Sequence, residues 1–571
     1  MAQVTPPRPG LRSFATPAAP LGRWLALLCL CAAGAAAQTP TSPEVLKAEA
    51  DKHPDDAAAQ FRLAQGWAAA KQPTQAMEAV ERALALAPQN AEYWSARAQY
   101  ANWLGHRAEA CDALARVVVL QPENDDALLS LARSESWAGR LDSSVRHFRR
   151  YVKRHADDKA ARMDHIKTES WRGNYATALA LLEEYGAKFG TGFDYRKQKA
   201  RILASAGRVT EAQELLNALL KEAPDDYELH FTQTLIYHNG RQPRLAVESL
   251  SELTRCKGSP AEVADARRLV TTELRDQVMV GAEYYTEKDS VKILRYYSEG
   301  RLQLNPEVRL LARVEGNDLW ADRGSGLENV DGHQHASYER ALAGAEWRLS
   351  PQWDLELLGG MAEADKTYTT GIYHLLANYQ PVDTLAFLFD SSYDYYAVSP
   401  RAVSLGIRRE DNRLQADWDV DLTYHVAAAA AYDMFSDSNQ RWEALLAPRA
   451  AVVRSQSINL DVGPHLWWYG FSDDLNHGYY DPYLFQRYAW NTYVYWKISG
   501  DDGIGAVVSL GEQKDDRESK FTFSASWDLE GRFGVYRDWM LVLRVADMHN
   551  SGGMAGGGGA RIYTAQLTRR F

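Results

Sequence analysis

Two sets of side chains in this 571-residue chain are of types that could do chemistry. The first is histidine: His333, His335, His465 and His477 stand in the C-terminal half with acids and serines nearby. Hydrolysis on such a set needs a nucleophile motif or metal-ligand spacing. Neither surrounds these four, and His333-Gln-His335 lies in a stretch rich in Gly and Asp, where two histidines alone rarely hold a metal. No catalytic residue, metal or cofactor is assigned, and the chain is not read as an enzyme. The second set is carboxylate: Asp354, Glu356, Asp390, Asp394, Asp417, Asp419, Asp461, Asp528 and Glu530. Several stand two positions apart, as in Asp354 and Glu356 or Asp528 and Glu530, which puts both on one face of a β-strand. Their chemistry is electrostatic, because a wall lined by such groups attracts cations. Arg309, Arg313, Arg340 and Arg348 would offset them, and then the acids would merely keep a wetted wall soluble.

Strands are therefore the elements that must position these groups. In Lys520 to Glu530, Phe521, Phe523, Ala525, Trp527 and Leu529 separate completely from Thr522, Ser524, Ser526, Asp528 and Glu530. The same separation occurs at Leu414, Ala416, Trp418 and Val420 against Arg413, Gln415, Asp417 and Asp419, and at Ile458, Leu460 and Val462 against Asn459 and Asp461. Lipid on one side and water on the other produces this pattern. A soluble β-sandwich also alternates, but here aromatic residues cluster at segment ends, as at Tyr284, Tyr285, Tyr296, Tyr297, Tyr395, Tyr396, Trp467, Trp468, Tyr469, Tyr479 and Tyr480, in the manner of interfacial girdles.

Segments begin near Val278, Val291, Val308, Ser337, Trp353, Thr370, Leu385, Val403, Arg413, Val426, Trp442, Ile458, Phe485, Ile504, Phe521, Trp539 and Arg561. A bacterial barrel has an even number of strands, and Val403 to Arg409 is the shortest and most basic segment. Sixteen strands are expected, closed around a lumen too wide for side chains to fill. Long connections at about 320–335, 472–483 and 549–560 are expected outside the cell, and short turns such as those at 350–352 and 499–503 in the periplasm.

The first half is built differently. Residues 278–571 hold 11 of the 17 Trp and 22 of the 30 Tyr, with 41 Asp plus Glu against 28 Lys plus Arg, a balance of −13. The remainder holds 34 acids and 36 bases, or +2. No run of 18 apolar residues occurs, which excludes a helical membrane protein. Arg8, Arg12 and Arg23 precede the apolar run Trp24 to Ala33, and Ala35-Ala36-Ala37 offers a cleavage site, so residues 1–37 read as a secretory signal peptide. Cys29 and Cys31 leave with it; Cys111 and Cys256 read as buried thiols too far apart to bridge.

Residues 38–277 carry a 34-residue period from about Ala57, the period of tetratricopeptide helix pairs. A small residue recurs at Ala76, Ala110, Ser144, Ala178, Ala212 and Ala246, and a large apolar one four positions later at Val80, Leu114, Phe148, Leu182, Leu216 and Leu250. The first lets two helices approach and the second fills the gap between them. First-helix positions are less regular at His165 and Lys199. A last helix opens at Ser259-Pro260-Ala261-Glu262 and runs to about Arg275, after which the period changes to two. The fold class is an α-solenoid of tetratricopeptide repeats followed by a transmembrane antiparallel β-barrel at 278–571.

The closing strand, with Tyr563, Leu567 and Phe571 on its apolar face, resembles the sorting signal of bacterial outer-membrane barrels, although Arg569 stands where a large apolar residue is usual. Signal peptide, repeats and barrel together resemble the outer-membrane exporters of synthase-dependent exopolysaccharide systems, such as the poly-N-acetylglucosamine export porin and the C-terminal part of cellulose synthase operon protein C. The YaiO-like barrels are close architectural relatives. Ser399-Pro-Arg-Ala-Val-Ser-Leu-Gly406 and Gly478-Tyr-Tyr-Asp-Pro-Tyr483 carry local likeness. The resemblance implies passage of a polysaccharide from periplasm to surface, a barrel in the outer membrane with its lipid as partner, insertion by the barrel assembly machinery, and periplasmic repeats that dock components of a synthase complex. An acidic lumen would suit a polymer bearing free amines. A barrel that merely anchors protein-binding repeats as a scaffold or receptor is the alternative. The acidic balance and the lack of a basic stripe give no sign of nucleic acid binding.

Overall fold

A computed structural model describes residues 42–571 apart from 257, 289, 366–367 and 553–557. The expected signal peptide and the tip of the Gly-rich loop at 549–560 lie outside the described residues. Among those described, fourteen helices precede the strands: α1 (Pro43–Lys52), α2 (Ala57–Ala69), α3 (Pro73–Leu86), α4 (Ala91–Trp103), α5 (Arg107–Leu120), α6 (Asp125–Trp137), α7 (Leu141–Arg154), α8 (Lys159–Trp171), α9 (Tyr175–Phe189), α10 (Phe193–Ser205), α11 (Val209–Glu222), α12 (Tyr227–Asn239), α13 (Pro243–Arg255) and α14 (Pro260–Thr272). They fall into two compact units, 42–195 and 196–571, the second of which also holds every strand.

The 34-residue period is written into the helix ends. Asp56, Asn90, Asn124, Asp158 and Asp226 cap first helices through side-chain oxygens that accept backbone N–H groups. The turn between the two helices of each repeat needs a left-handed residue, found at Lys71, Gly105, Gly139, Gly173, Gly207 and Arg241. Four of these six are glycine, which adopts that conformation without Cβ strain. The helix after Ser259 begins at Pro260 as expected, but Ser259 makes no side-chain cap bond and the helix stops at Thr272.

In the unit at 42–195, Ala76, Ala110, Ser144 and Ala178 are fully buried, and Val80, Leu114, Phe148 and Leu182 are buried with them. Ser144 keeps its hydroxyl bonded by donating to the Ala132 carbonyl at 2.6 Å. The irregular His165 is buried and stacks on Phe148 with ring centroids 6.0 Å apart. Glu169 beside it is fully buried between Arg149 at 2.7 Å and Arg172 at 3.1 Å. In the unit at 196–571, Ala212, Leu216, Ala246 and Leu250 repeat the scheme. Cys111 is buried as expected, whereas Cys256, at the C-cap of α13, is only half-buried.

Burial, aided by the nearby charges of Arg149, Arg162 and Arg172, lowers the His165 imidazole to about 4. The fold thus favours neutral His165, whereas the unfolded chain protonates below about pH 6.5, so stability is greatest above that pH and declines as pH falls toward 4. Denaturant unfolding followed by circular dichroism should show the solenoid losing about 2 kcal/mol between pH 7 and pH 5, with the loss abolished in His165→Leu. An equal loss in both proteins would assign the acid sensitivity elsewhere.

The strands are β1 (Gln277–Glu287), β2 (Val291–Asn305), β3 (Val308–Ala321), β4 (His335–Ser350), β5 (Trp353–Ala364), β6 (Tyr368–Val382), β7 (Leu385–Tyr395), β8 (Arg408–Asp419), β9 (Tyr424–Phe435), β10 (Gln440–Arg454), β11 (Ile458–Phe471), β12 (Phe485–Ser499), β13 (Asp502–Asp515), β14 (Thr522–Phe533), β15 (Trp539–Gly552) and β16 (Gly558–Arg570). Each pairs antiparallel with its sequence neighbours, and β1 pairs with β16 from Gln277↔Arg570 to Glu287↔Ala560 to close the ring. The discounted segment at Val403 is indeed not a strand. Pro400–Ser404 forms a short helix, α15, opened by Ser399, whose side chain accepts the Ala402 N–H.

Connections at the end where the helices enter, the proximal end, are short: 306–307, 351–352, 383–384, 420–423, 455–457, 500–501 and 534–538. At the distal end they include the long 322–334, 396–407 and 472–484. Register puts Val280, Val314, Leu357, Leu414, Trp442, Leu510 and Leu543 on the outer face, all exposed, as a lipid-facing band requires. No described helix is long and apolar enough to cross a membrane. The expected aromatic girdle needs correction. Along β1 and β2 adjacent aromatics point to opposite sides of the wall, so Tyr284 and Tyr296 face out while Tyr285 is buried inside, and at the distal end Tyr395, Tyr396, Tyr469 and Tyr479 all pack inside.

Candidate functional site: the barrel lumen

All nine carboxylates singled out above lie on the inner face, and so do Arg309, Arg313, Arg340 and Arg348. Each acid has a cationic neighbour. Arg348 lies 3.0 Å from Asp354, Arg454 2.5 Å from Asp461, Arg544 2.6 Å from Asp528 and Arg532 2.5 Å from Glu530, and Arg340 contacts Asp394. The other four meet histidine. His374 is 3.0 Å from Asp390 and 4.0 Å from Glu356, and His425 is 3.3 Å from Asp417 and 2.9 Å from Asp419.

Further acids and arginines complete the lattice. Glu315, almost fully buried, is shared by Arg313 at 2.7 Å, Arg340 at 2.9 Å and Arg295 at 3.3 Å. Across the lumen Arg441 bridges Asp433 and Glu443, and Arg413 reaches Glu443 at 3.0 Å. Sequence reading caught the acids and missed most of the arginines, among them Arg454 and Arg544, which reach their partners from the neighbouring strand. The wall is a mesh of opposed charges. Negative charge is in excess where four carboxylates, Glu356, Asp390, Asp417 and Asp419, meet only two histidines, His374 and His425. Arg487 is the converse case: no carboxylate lies within ion-pair distance among the described residues, and it donates to the hydroxyls of Ser509 at 2.9 Å, Ser524 at 3.0 Å and Ser526 at 3.2 Å.

At the proximal mouth the last helices bear on the barrel rim. Arg244 clasps Glu307 through two bonds of 2.9 and 2.8 Å, which hold that turn carboxylate below its ordinary range. Asp383 accepts the Thr210 N–H at 2.7 Å at the start of α11. Arg275 donates to the Phe571 and Arg570 carbonyls at 3.0 and 3.2 Å and to Asp538 at 2.9 Å. Between these, the turn from α12 to α13 sends Arg241 to Asp354 and to Gln380 at 3.4 Å. Arg241 occupies the left-handed position that glycine holds in four of the repeats, at a backbone cost of about 1 kcal/mol. The side chain that justifies this cost closes on a lumen carboxylate.

Replacing it with glycine should relieve the backbone and free the mouth. Arg241→Gly should leave the thermal midpoint unchanged or slightly raised, while channel openings in planar bilayers become larger or more frequent. Unchanged currents would show that other contacts shut this end.

The distal end is packed as well. Inward residues Tyr285, Ile293, Leu319, Tyr338, Leu342 and Ile372 form an apolar cluster with Leu327 and Val403 from two distal loops. Opposite, Phe435, Tyr469, Phe471 and Phe485 pack with Val398, Ala402, Ile407 and Tyr479. The loops are tied to one another: Arg401 N–H donates to the Leu327 carbonyl at 3.0 Å, the Ser399 hydroxyl to the Gly478 carbonyl at 2.5 Å, and the Arg401 guanidinium to the Asn476 carbonyl at 3.1 Å. The expectation of a lumen left unfilled is thus corrected at this end, where loops supply the apolar mass that wall residues alone lack.

Gly478 is left-handed, and a Cβ there would lie 2.6 Å from the Ser399 hydroxyl and 2.7 Å from Arg401 Cβ. Gly478→Val should therefore spring the loop cap, raising single-channel conductance while heat-modifiable migration shows the barrel still folded. A closed, wild-type trace would mean that the cap is not held at this contact.

The histidines read for chemistry are scattered. His335 lies 3.1 Å from Asp318 and His477 3.0 Å from Asp437, while His465 is buried on the inner wall. Among the described residues no group of three or more potential ligands could hold a metal ion.

A tetratricopeptide repeat family profile matches residues 172–231. No curated protein matches the chain. Among solved structures the chain is similar to a bacterial polysaccharide outer membrane secretin, at 16% identity over 52% of this chain and 99% of that one, with a TM-score of 0.41. A tetratricopeptide repeat protein from Parabacteroides merdae matches at 16% over 40% and 91%, TM-score 0.33. PilW, a type IV pilus biogenesis factor, matches at 16% over 36% and 96%, TM-score 0.29. These scores lie below 0.5.

Proposed function

We propose that this protein is an outer-membrane exporter that passes a growing polysaccharide from the periplasm to the cell surface. In this reading residues 1–37 direct secretion, the repeats at 38–277 stand in the periplasm and engage periplasmic or inner-membrane components of a synthase complex, and the barrel at 278–571 spans the outer membrane. Tyr563, Leu567 and Phe571 present the closing strand to the barrel assembly machinery. The observation that carries the reading is the inner wall. Its charges are neutralised in place by neighbours, giving a wetted surface that can hydrogen-bond a sliding polymer at many points and grip it strongly at none.

Polymer chemistry follows from where negative charge is left over. Glu356, Asp390, Asp417 and Asp419, opposed by His374 and His425, form the part of the path that favours amine-bearing sugars over anionic ones. The packed distal end is the one feature that favours a second reading, a closed barrel serving as an anchor for protein-binding repeats.

Planar-bilayer recording on the full chain with Gly478→Val separates the two readings. The exporter should give cation-selective steps that glucosamine oligomers block more strongly than neutral oligosaccharides. Changing the four acids to amides should erase that preference. A folded but silent barrel in a variant whose distal loops limited proteolysis shows to be released would support the anchor.

A further inference from the structure

On the outside of the barrel at its proximal end, α14 stands away from the wall and leaves a cleft of about 1160 Å³. One side is the apolar outer face of the last strands, Trp539, Leu541 and Leu567, continuous with the band that faces lipid. The other side is basic: of the charged residues lining the cleft, four are arginines (Arg267, Arg268, Arg275 and Arg537) and one is an aspartate, Asp538.

The four arginines differ in how they are engaged. Arg275 is used up on the rim, and Asp538 is held ionised by it. Arg268 meets Asp265 at 3.0 Å and Arg537 meets Asp502 at 3.5 Å, each arginine more than half exposed. Arg267 is exposed on α14 with no ion pair among the described residues. Beside the cleft, Arg569 lies over the rings of Trp539 at 5.0 Å and Phe571 at 5.6 Å. This accounts for the cation at a position where an apolar residue was expected, since an arginine at the membrane surface keeps its head in water while its stem covers aromatic rings.

We propose that this cleft binds an anionic glycerophospholipid of the leaflet at the proximal end. Its acyl chains lie along Leu541, Leu567 and Trp539, and its phosphate is held by Arg267, Arg268 and Arg537. Charge complementarity and continuity with the lipid-facing wall single out this occupant. A soluble anion would leave the apolar side uncovered, and a protein partner would have to displace bilayer lipid from the same strands. The bound lipid fills the gap between α14 and the barrel and so braces the helix that leads into Arg275. The inference rests on the barrel being embedded in a membrane and is independent of whether a polymer passes through it.

The test is native mass spectrometry of the full chain released from micelles containing equimolar phosphatidylglycerol and phosphatidylcholine of matched acyl chains. Wild-type protein should retain phosphatidylglycerol with about tenfold preference, and the triple variant Arg267→Gln, Arg268→Gln, Arg537→Gln should lose that preference while keeping heat-modifiable migration. Equal retention of the two lipids by the wild type overturns the proposal whether or not the variant folds. So does an undiminished preference in the variant, and so does a mass showing a second copy of the chain in place of lipid.

Discussion

The structure depends on closure. Inside a bilayer no water is present to bond a free N–H or C=O, so a sheet can persist there only as a ring in which the last strand pairs with the first. The register from Gln277↔Arg570 to Glu287↔Ala560 meets that demand. Away from the register shifts near strand ends, the side-chain period of two then carries inside and outside from each strand to the next. Lipid contact, the charge lattice of the lumen and the landing sites for the last helices are all consequences of that one register.

Closure turns the lumen into an enclosed place where charge must be handled. Sixteen strands bring carboxylates and guanidinium groups from neighbouring strands within a few ångströms. An unpaired charge facing partly buried walls would be costly, so pairing is nearly complete. Where four carboxylates share two histidines the balance is negative, and where Arg487 sits among serines it tips the other way. The path is therefore patterned by small departures from neutrality.

Much of this could be read from the chain because two periods dominate it. The 34-residue period places the left-handed turn of each repeat and five first-helix caps, and the period of two in Thr522 to Glu530 assigns inside and outside without ambiguity. What escaped reading has a common cause, which is dependence on a distant partner. Tyr284 and Tyr285 look alike in sequence but lie on opposite sides of a wall. Asp528 looks like free charge until Arg544 arrives on the adjacent strand. Length and charge discount Val403 to Arg409 as a strand, but they do not foretell the helix that Ser399 and Pro400 open there, whose apolar residues meet two other loops. Arg241 breaks the glycine rule of its own repeat for the sake of Asp354, more than a hundred residues on, and no local pattern announces that.

Arg275 has a consequence for the order of events. Its acceptors are the carbonyls of Arg570 and Phe571 and the carboxylate of Asp538, separated from it by 295, 296 and 263 positions along the chain. They come together in space only when β15 and β16 have been laid down beside β1. The segment that joins α14 to β1 thus acquires its full set of rim contacts only after the ring is complete, so the docking of Arg275 is a report that the barrel has finished forming.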